Sequence, residues 1–239
     1  MLEASSPSNR PEVQRLSSSP FSTERNYVKS YILWDHDGVL VDTEPWYFEA
    51  TRQTIEPLGV ALTQSDYLAD MADGRSAWER AKAVGATATQ VSEQKAERNK
   101  LYQHYLQTRN IEIAGVPQVL EQLARRYSMA IVTTSKKADF ELIHRTRQIT
   151  THMDFVLASG DYANSKPAPD PYLTALERFN ATPEEAVVVE DSERGLRAAV
   201  AAGIDCVVVA SDFVEGQNLS AATHRIASLD QLPALLDAL

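Results

Sequence analysis

The stretch YILWDHDGVLVDTE, Tyr31 to Glu44, carries four apolar residues straight into three aspartates and a glutamate. A short run of aromatic and branched residues without polar alternation reads as a strand buried on both faces of a parallel sheet. The acids at its end repel one another, and each costs free energy to bring out of water. The stretch therefore predicts both a central strand and positive charge supplied from elsewhere to the end of it.

Similar runs recur downstream as MAIVT (129–133), MDFVLAS (153–159), AVVVE (186–190) and CVVVA (206–210). Helical patterns lie between them over 115–127, 136–148, 170–179 and 192–202, the last stopping at Gly203. Strand and helix in alternation predict an α/β fold, a doubly wound parallel sheet of the Rossmann-like type. The alternation breaks once. Between Pro45 and Ile113 no strand is apparent, only helical stretches at 45–58, 75–84 and 90–109. That is too long for one crossover, so residues 44–113 are expected to form a separate α-helical domain. The sheet domain would then comprise 29–43 and 114–239, preceded by a Ser- and Pro-rich tail over 1–28.

Composition narrows the possible partners. The chain has 239 residues and a formal net charge of −10, which disfavours nucleic acid and anionic membrane. Cys206 is its only cysteine, so no internal disulfide can form, and a reducing cytoplasmic setting is expected. No apolar run reaches the length of a membrane span, and the tail lacks the apolar segment of a secretory signal.

In open α/β sheets, ligands bind beyond the carboxyl ends of the strands. Those ends carry Asp35 and Asp37; Thr133, Thr134, Ser135 and Lys136; Lys166 within SKPAPDPY; and Glu190, Asp191 and Ser192. Several carboxylates, some hydroxyls and at least one lysine are thus expected on one rim. Less telling readings accompany each: Asp-x-Asp is frequent in turns, Lys166 could cap a loop, and Asp191 could simply cap the helix after it.

Four ordered motifs, WDHDGVLVDTE, IVTTS, SKPAPDPY and VVVEDSERG, give the chain from about Tyr27 onward a clear likeness. It resembles the haloacid-dehalogenase superfamily of phosphohydrolases, in the branch with a helical cap domain inserted after the first motif. The resemblance implies the Rossmann-like core of that superfamily and a Mg²⁺-dependent phosphatase acting on a small phosphomonoester, such as a sugar phosphate or a phosphoglycolate-like compound. It makes Asp35 the nucleophile that forms an aspartyl-phosphate, and Asp37 the acid and base. Thr133, with Thr134 or Ser135 able to take its place, would hold phosphoryl oxygens, and Lys166 would neutralise charge. Asp35, Asp191 and the backbone carbonyl of Asp37 would bind the metal, with Glu190 as a further ligand or a supporting acceptor.

The second aspartate separates the chain from dehalogenases and phosphonate-cleaving relatives. The β-phosphoglucomutase branch is closer, so a phosphosugar mutase is the alternative activity, and a catalytically silent binding module is a third. Mutases, however, carry a histidine where Tyr47 stands, and their cap arginine falls on Ala77, with Arg75 close by. Arg75 and Tyr47 are therefore expected to contact substrate, with Trp46 as a further residue that could line the cleft, while Trp78 reads at least as well as packing. His36 stands where relatives usually carry an apolar residue, and strand alternation predicts a structural side chain turned away from the two acids. Asp42 and Glu44 read as structural, and Cys206 as core. A monomer or homodimer is expected.

Overall fold

The computed structural model describes residues 28–211, 213 and 216–238; the tail expected over 1–28 lies, apart from Val28, outside them. Six parallel strands form one sheet: β1 (Tyr31–Trp34), β2 (Ser128–Val132), β3 (Phe155–Leu157), β4 (Ala186–Glu190), β5 (Asp205–Val209) and β6 (His224–Ile226). Their order across the sheet is β3-β2-β1-β4-β5-β6. The fold is the α/β, Rossmann-like one the strand pattern predicts. The last strand escapes sequence reading because it is three residues long and carries the exposed Arg225.

The order reverses at β1, which pairs with β2 on one side and β4 on the other. Register pairs Trp34 with Ile131 and with Val189. Asp35, Val132 and Glu190, each the next residue along, therefore stand level at the carboxyl rim. That rim is where a reversal of strand order opens a crevice.

Both faces of the sheet are covered, which is why its strands lack polar alternation. Ile32, Trp34, Met129, Ile131, Val187 and Val189 pack on one side with α5 (Val116–Leu123) and α9 (Leu232–Leu236). Leu33, Ala130, Val132 and Val188 pack on the other with α7 (Asp170–Phe179) and α8 (Glu193–Ala201). Helix α6 (Lys137–His144) follows β2 and sends Phe140 into the first of these clusters.

Between β1 and α5 lie α1 (Glu44–Ile55), α2 (Gln64–Ala72), α3 (Trp78–Ala83) and α4 (Ala88–Thr108). Pro45 sits in the first turn of α1, where a missing N–H costs nothing. Thr87 and Gln90 close a capping box at the start of α4. Sequence reading misses α2, whose residues QSDYLADMA give only a weak apolar stripe. These helices share an apolar cluster of their own, with Ile55, Leu62, Tyr67, Leu68, Trp78 and Val91. The chain enters and leaves this segment side by side: Asp42 N donates to Ile111 O at 2.9 Å. Among the described residues, no helix is long and apolar enough to cross a membrane.

Candidate active site

The chain end of β1 buries its first acid against a lysine. Lys166 Nζ donates to Asp35 Oδ1 at 2.5 Å, to Glu190 Oε1 at 2.7 Å and to Val132 O at 2.8 Å, filling all three of its donors. Burial works against a charged ammonium here, but Asp35 and Glu190 outweigh it and hold Lys166 protonated. Tyr172 donates to the same Glu190 Oε1 at 2.7 Å, and its ring lies under Lys166. Glu190 Oε2 accepts from Ser192 Oγ at 3.0 Å. Gly195, one turn into α8, is the residue that makes room for this carboxylate: a β-carbon there would stand 1.7 Å from Glu190 Oε1.

One ammonium shared between two buried carboxylates cannot serve both equally. Burial raises Glu190, and Lys166, Tyr172 and Ser192 more than reverse that, so Glu190 titrates below the usual range. Asp35 carries the cost: burial and the Glu190 charge push it up to about 7 despite Lys166. Asp191 lies beside them, and burial, Glu190, Asp35, Glu44 and Asp37 all push it well above its ordinary value. No ion pair to Asp191 occurs among the described residues. The helix cap that could have occupied it falls instead to Ser192, whose Oγ accepts from Gly195 N.

Asp35, Glu190 and Asp191 bring one oxygen each to within 4.8 Å of one another. All-oxygen donors, three carboxylates and only one lysine leave a net negative site. A hard divalent cation is the group that fits it.

Asp37 is held differently. Its Oδ1 accepts from Thr43 Oγ1, and its Oδ2 accepts from Ser135 Oγ at 2.6 Å and Thr133 Oγ1 at 3.2 Å. Burial alone would raise this carboxyl; neighbouring His36 and the Ser135 and Thr43 hydroxyls reverse that and hold it well below the usual carboxylate range. Two acids separated by one residue are thus driven in opposite directions.

A cavity of about 390 Å³ opens over these groups. Asp35, Asp37, Thr134, Ser135, Lys166, Glu190 and Asp191 line it from the sheet side. Thr133 does not: it is fully buried and spends its hydroxyl on Asp37, so the exposed hydroxyls of this loop belong to Thr134 and Ser135. Thr134 Oγ1 also accepts from Arg194 at 3.2 Å.

From the helical segment come Tyr47 and Arg75, as the sequence suggests, and an edge of Trp78, which otherwise packs in the apolar cluster, whereas Trp46 packs on Tyr105 away from the cavity. Arg75 is half exposed and already paired with Asp73 at 2.7 Å and Asp70 at 3.4 Å. Glu44, which the sequence reads as structural, and Arg98, which it passes over, also face the cavity. Glu44 is half-buried and accepts from Tyr67 Oη. Arg98 is 6% exposed, stacks 4.2 Å from the Tyr47 ring centroid, and enters no ion pair among the described residues. A signal for Arg98 existed: it falls on the same stripe of α4 as the buried Val91, Tyr102 and Tyr105, seven, four and seven residues away.

His36 departs from its expected orientation. Its ring is fully buried behind the acids, yet Nδ1 stands 3.3 Å from Asp37 Oδ2. Alternation fails there because the backbone has already left the strand for the turn at Gly38, whose φ is +85°.

The chain is similar to known proteins over most of its length. A family model described as haloacid dehalogenase-like hydrolase matches residues 32–209. A phosphorylated carbohydrates phosphatase from Thermotoga maritima is 34% identical over 182 residues, covering 73% of this chain and 82% of that protein. Fructose-1-phosphate phosphatase YqaB from Escherichia coli is 30% identical over 189 residues, covering 74% and 95%. The crystal structure of CbbY from Rhodobacter sphaeroides in complex with phosphate superposes with a TM-score of 0.72 at 24% identity, over 87% of this chain and 99% of that one, a likeness of fold.

Proposed function

The chain belongs to the haloacid dehalogenase-like hydrolase family and is a phosphohydrolase, and we propose that it cleaves the phosphomonoester of a small phosphorylated carbohydrate with Mg²⁺ bound at Asp35, Asp191 and the backbone carbonyl of Asp37. The observation that carries this reading is the convergence of Asp35, Asp37, Lys166, Glu190 and Asp191 on one cavity wall, with Lys166 bonded to Asp35 and Glu190. Glu190 serves these ligands from behind, since Lys166, Tyr172 and Ser192 already occupy its oxygens. Residues 44–113 form the cap over the site.

Positive charge that lets an anionic ester and a carboxylate nucleophile approach, and that polarises the phosphoryl oxygens, is what the bound Mg²⁺ supplies. An Asp35 carboxylate oxygen attacks phosphorus and the bond to the ester oxygen breaks, leaving the phosphoryl group on Asp35. Asp37 gives its proton to the departing oxygen; a phosphate dianion arriving beside it favours the protonated form that this step needs. Water then attacks the same phosphorus, Asp37 takes its proton, and Asp35 is freed as inorganic phosphate leaves. Lys166 holds Asp35 in line throughout, while Thr134 and Ser135 with their backbone N–H groups orient phosphoryl oxygens. The low-lying Asp37 of the resting site suits it to the second half of this sequence, where a base is required.

Tyr47 in place of the mutase histidine favours transfer to water over transfer to another sugar hydroxyl. The test is a panel of phosphomonoesters with Mg²⁺, including hexose and pentose phosphates, glycerol phosphate and phosphoglycolate, scored by free phosphate and by kcat/KM. Release from several sugar phosphates supports the proposal. Folded protein that releases phosphate from none of them, or that interconverts phosphosugar isomers without release, overturns it.

A further inference from the structure

The catalytic rim has a cation of its own. Lys166 gives its three donors to Asp35, Glu190 and the Val132 carbonyl, so none is left for the organic part of a substrate. Further positive charge in the cavity needs a separate explanation. Arg194, in the first turn of α8, lines the cavity from the sheet domain. Its side chain is half-buried and donates from Nη2 to Thr134 Oγ1 at 3.2 Å. Its Nε is buried with no hydrogen-bond partner, and among the described residues it enters no ion pair. An arginine carries five N–H donors in a planar fork that matches an oxyanion. Drawing it partly out of water with no acid beside it costs free energy that a surface arginine does not incur.

The acids nearest to it are engaged elsewhere. Glu193, its neighbour in the chain, accepts from Asn218 N at 2.8 Å. Glu44, on α1, accepts from Tyr67 Oη. Removal from water raises both Glu44 and Tyr67, and the Arg194 charge opposes the rise in each, joined by Arg98 at Glu44. At Asp35 and Asp191 burial and the neighbouring acids dominate, and Lys166 is the cation that answers them, at Asp35. Arg194 therefore acts on the space between the rim and the helical segment, and Arg98 approaches that space from the opposite wall.

From these placements we infer that Arg194 is a specificity-determining residue that receives a second oxyanion on the organic part of the substrate, a carboxylate or a further phosphate. The substrate class narrows accordingly, from phosphorylated carbohydrates in general to those that carry two anionic groups. This inference rests on the phosphatase reading of the site and concerns what lies beyond the phosphoryl group. In a chain of net charge −10, two guanidiniums without ion pairs on facing cavity walls make this space the favourable one for such a group. Thr134 fixes one edge of the Arg194 fork and leaves the rest of it to form a charge-assisted pair.

The experiment takes Mg²⁺-loaded wild type and Arg194→Gln through two matched pairs of esters: 6-phosphogluconate against glucose 6-phosphate, and fructose 1,6-bisphosphate against fructose 1-phosphate. Wild type is expected to favour the doubly anionic member of at least one pair by about tenfold or more in kcat/KM, the worth of a hydrogen bond to a charged group. Arg194→Gln is expected to abolish that preference, losing about tenfold or more on the doubly anionic ester and less than about threefold on its partner. A preference within one pair alone supports the inference and tells carboxylate from phosphate. Wild type that favours neither doubly anionic ester overturns it. So does a variant that keeps the preference, or one that loses equally on all four esters, as a residue serving only the transferred phosphoryl group or the fold would. Because Arg194→Gln can fail to fold, the wild-type ranking stands as a test by itself. Wild type that releases phosphate from none of the four defeats the proposed function instead. Calorimetric binding of the same compounds then decides the inference: the doubly anionic ligand must bind about tenfold more tightly than its partner to wild type, and equal affinities overturn it.

Discussion

Gly38 and Asp191 approach so closely that a β-carbon on Gly38 would stand 2.0 Å from Asp191 Oδ2 and 2.6 Å from its Cγ. Gly38 also has a φ of +85°, a conformation that disfavours any side chain by about 1–2 kcal/mol. Its substitution therefore strikes the acid-rich rim twice, through the backbone and through Asp191. Gly38→Ala is expected to lower the melting temperature and to weaken Mg²⁺ binding by about tenfold or more, since 1.4 kcal/mol already amounts to that factor. Titration of the thermal shift with MgCl₂ measures both. An unchanged midpoint and affinity would mean that Asp191 is free to move aside at no cost.

Metal-free protein is expected to lose stability as pH rises. Asp35 binds its proton more tightly folded, with a value near 7, than unfolded, near 3.8. The folded state is therefore favoured at low pH, loses that advantage as pH climbs from about 4 to about 7, and changes little from this source above 7. Asp191, raised still more strongly, acts in the same direction. Added Mg²⁺ is accordingly expected to raise the melting temperature much more at pH 8 than at pH 5. A shift of equal size at both pH values would contradict binding through these carboxylates.

Asp35→Asn removes the nucleophile while keeping the hydrogen-bonding shape of the side chain. Phosphate release is expected to fall by on the order of ten thousand-fold or more. The metal-free variant should be more stable than wild type at pH 8, because one buried charge is gone. Single-turnover assays and thermal melts read the two effects separately. A variant that keeps activity would remove Asp35 from the mechanism.

Arg98 is the cation of the helical segment with most to offer a substrate. It is buried, lines the cavity and forms no ion pair among the described residues, whereas Arg75 is held by Asp70 and Asp73. Arg98→Gln is expected to cost about 1.5–3 kcal/mol of binding to a sugar phosphate, the value of a hydrogen bond to a charged group. That appears as a KM raised roughly 10- to 150-fold, with a smaller change for 4-nitrophenyl phosphate, which lacks the hydroxyls at the remote end. Arg75→Gln should change KM far less. The reverse ranking would transfer the recognition role to Arg75.

Tyr172→Phe tests the support behind the rim. Glu190 Oε1 then keeps Lys166 but loses the Tyr172 hydroxyl at 2.7 Å. A stability loss of about 1–2 kcal/mol is expected, with kcat reduced and KM unchanged, because no part of Tyr172 lines the cavity. A change in KM would place Tyr172 nearer the substrate than its burial allows.

The sheet is legible because burial on both faces leaves an unmistakable mark: YILW and AVVVE coincide with β1 and β4 residue for residue. The core acids are legible because they follow those runs directly. What sequence could not resolve is the partition of roles among neighbours. Thr133, Thr134 and Ser135 look interchangeable in a string of letters, and only the turn after β2 sends Thr133 inward to Asp37 and the next two toward the cavity. Glu44 resembles any acid in the first turn of a helix, where the dipole favours one; its contact with Tyr67 depends on how α1 and α2 meet. Arg98 shows the limit of compositional intuition, because a charge inside a polar helix reads as solvated even when it occupies the buried stripe.

Phe213 lies in the loop after β5, yet its ring stands 6.0 Å from Phe48 and 6.4 Å from Tyr67, within the aromatic cluster of the helical segment. Gln217, from the same loop, lines the cavity with it and accepts from Glu193 N at 2.7 Å. Substrate preference is therefore not a portable module in this molecule. Grafting residues 44–113 onto the sheet of a relative would leave behind a ring on which that segment packs and a stretch of the cavity wall. A chimera meant to inherit its selectivity has to carry two pieces of sequence about a hundred residues apart.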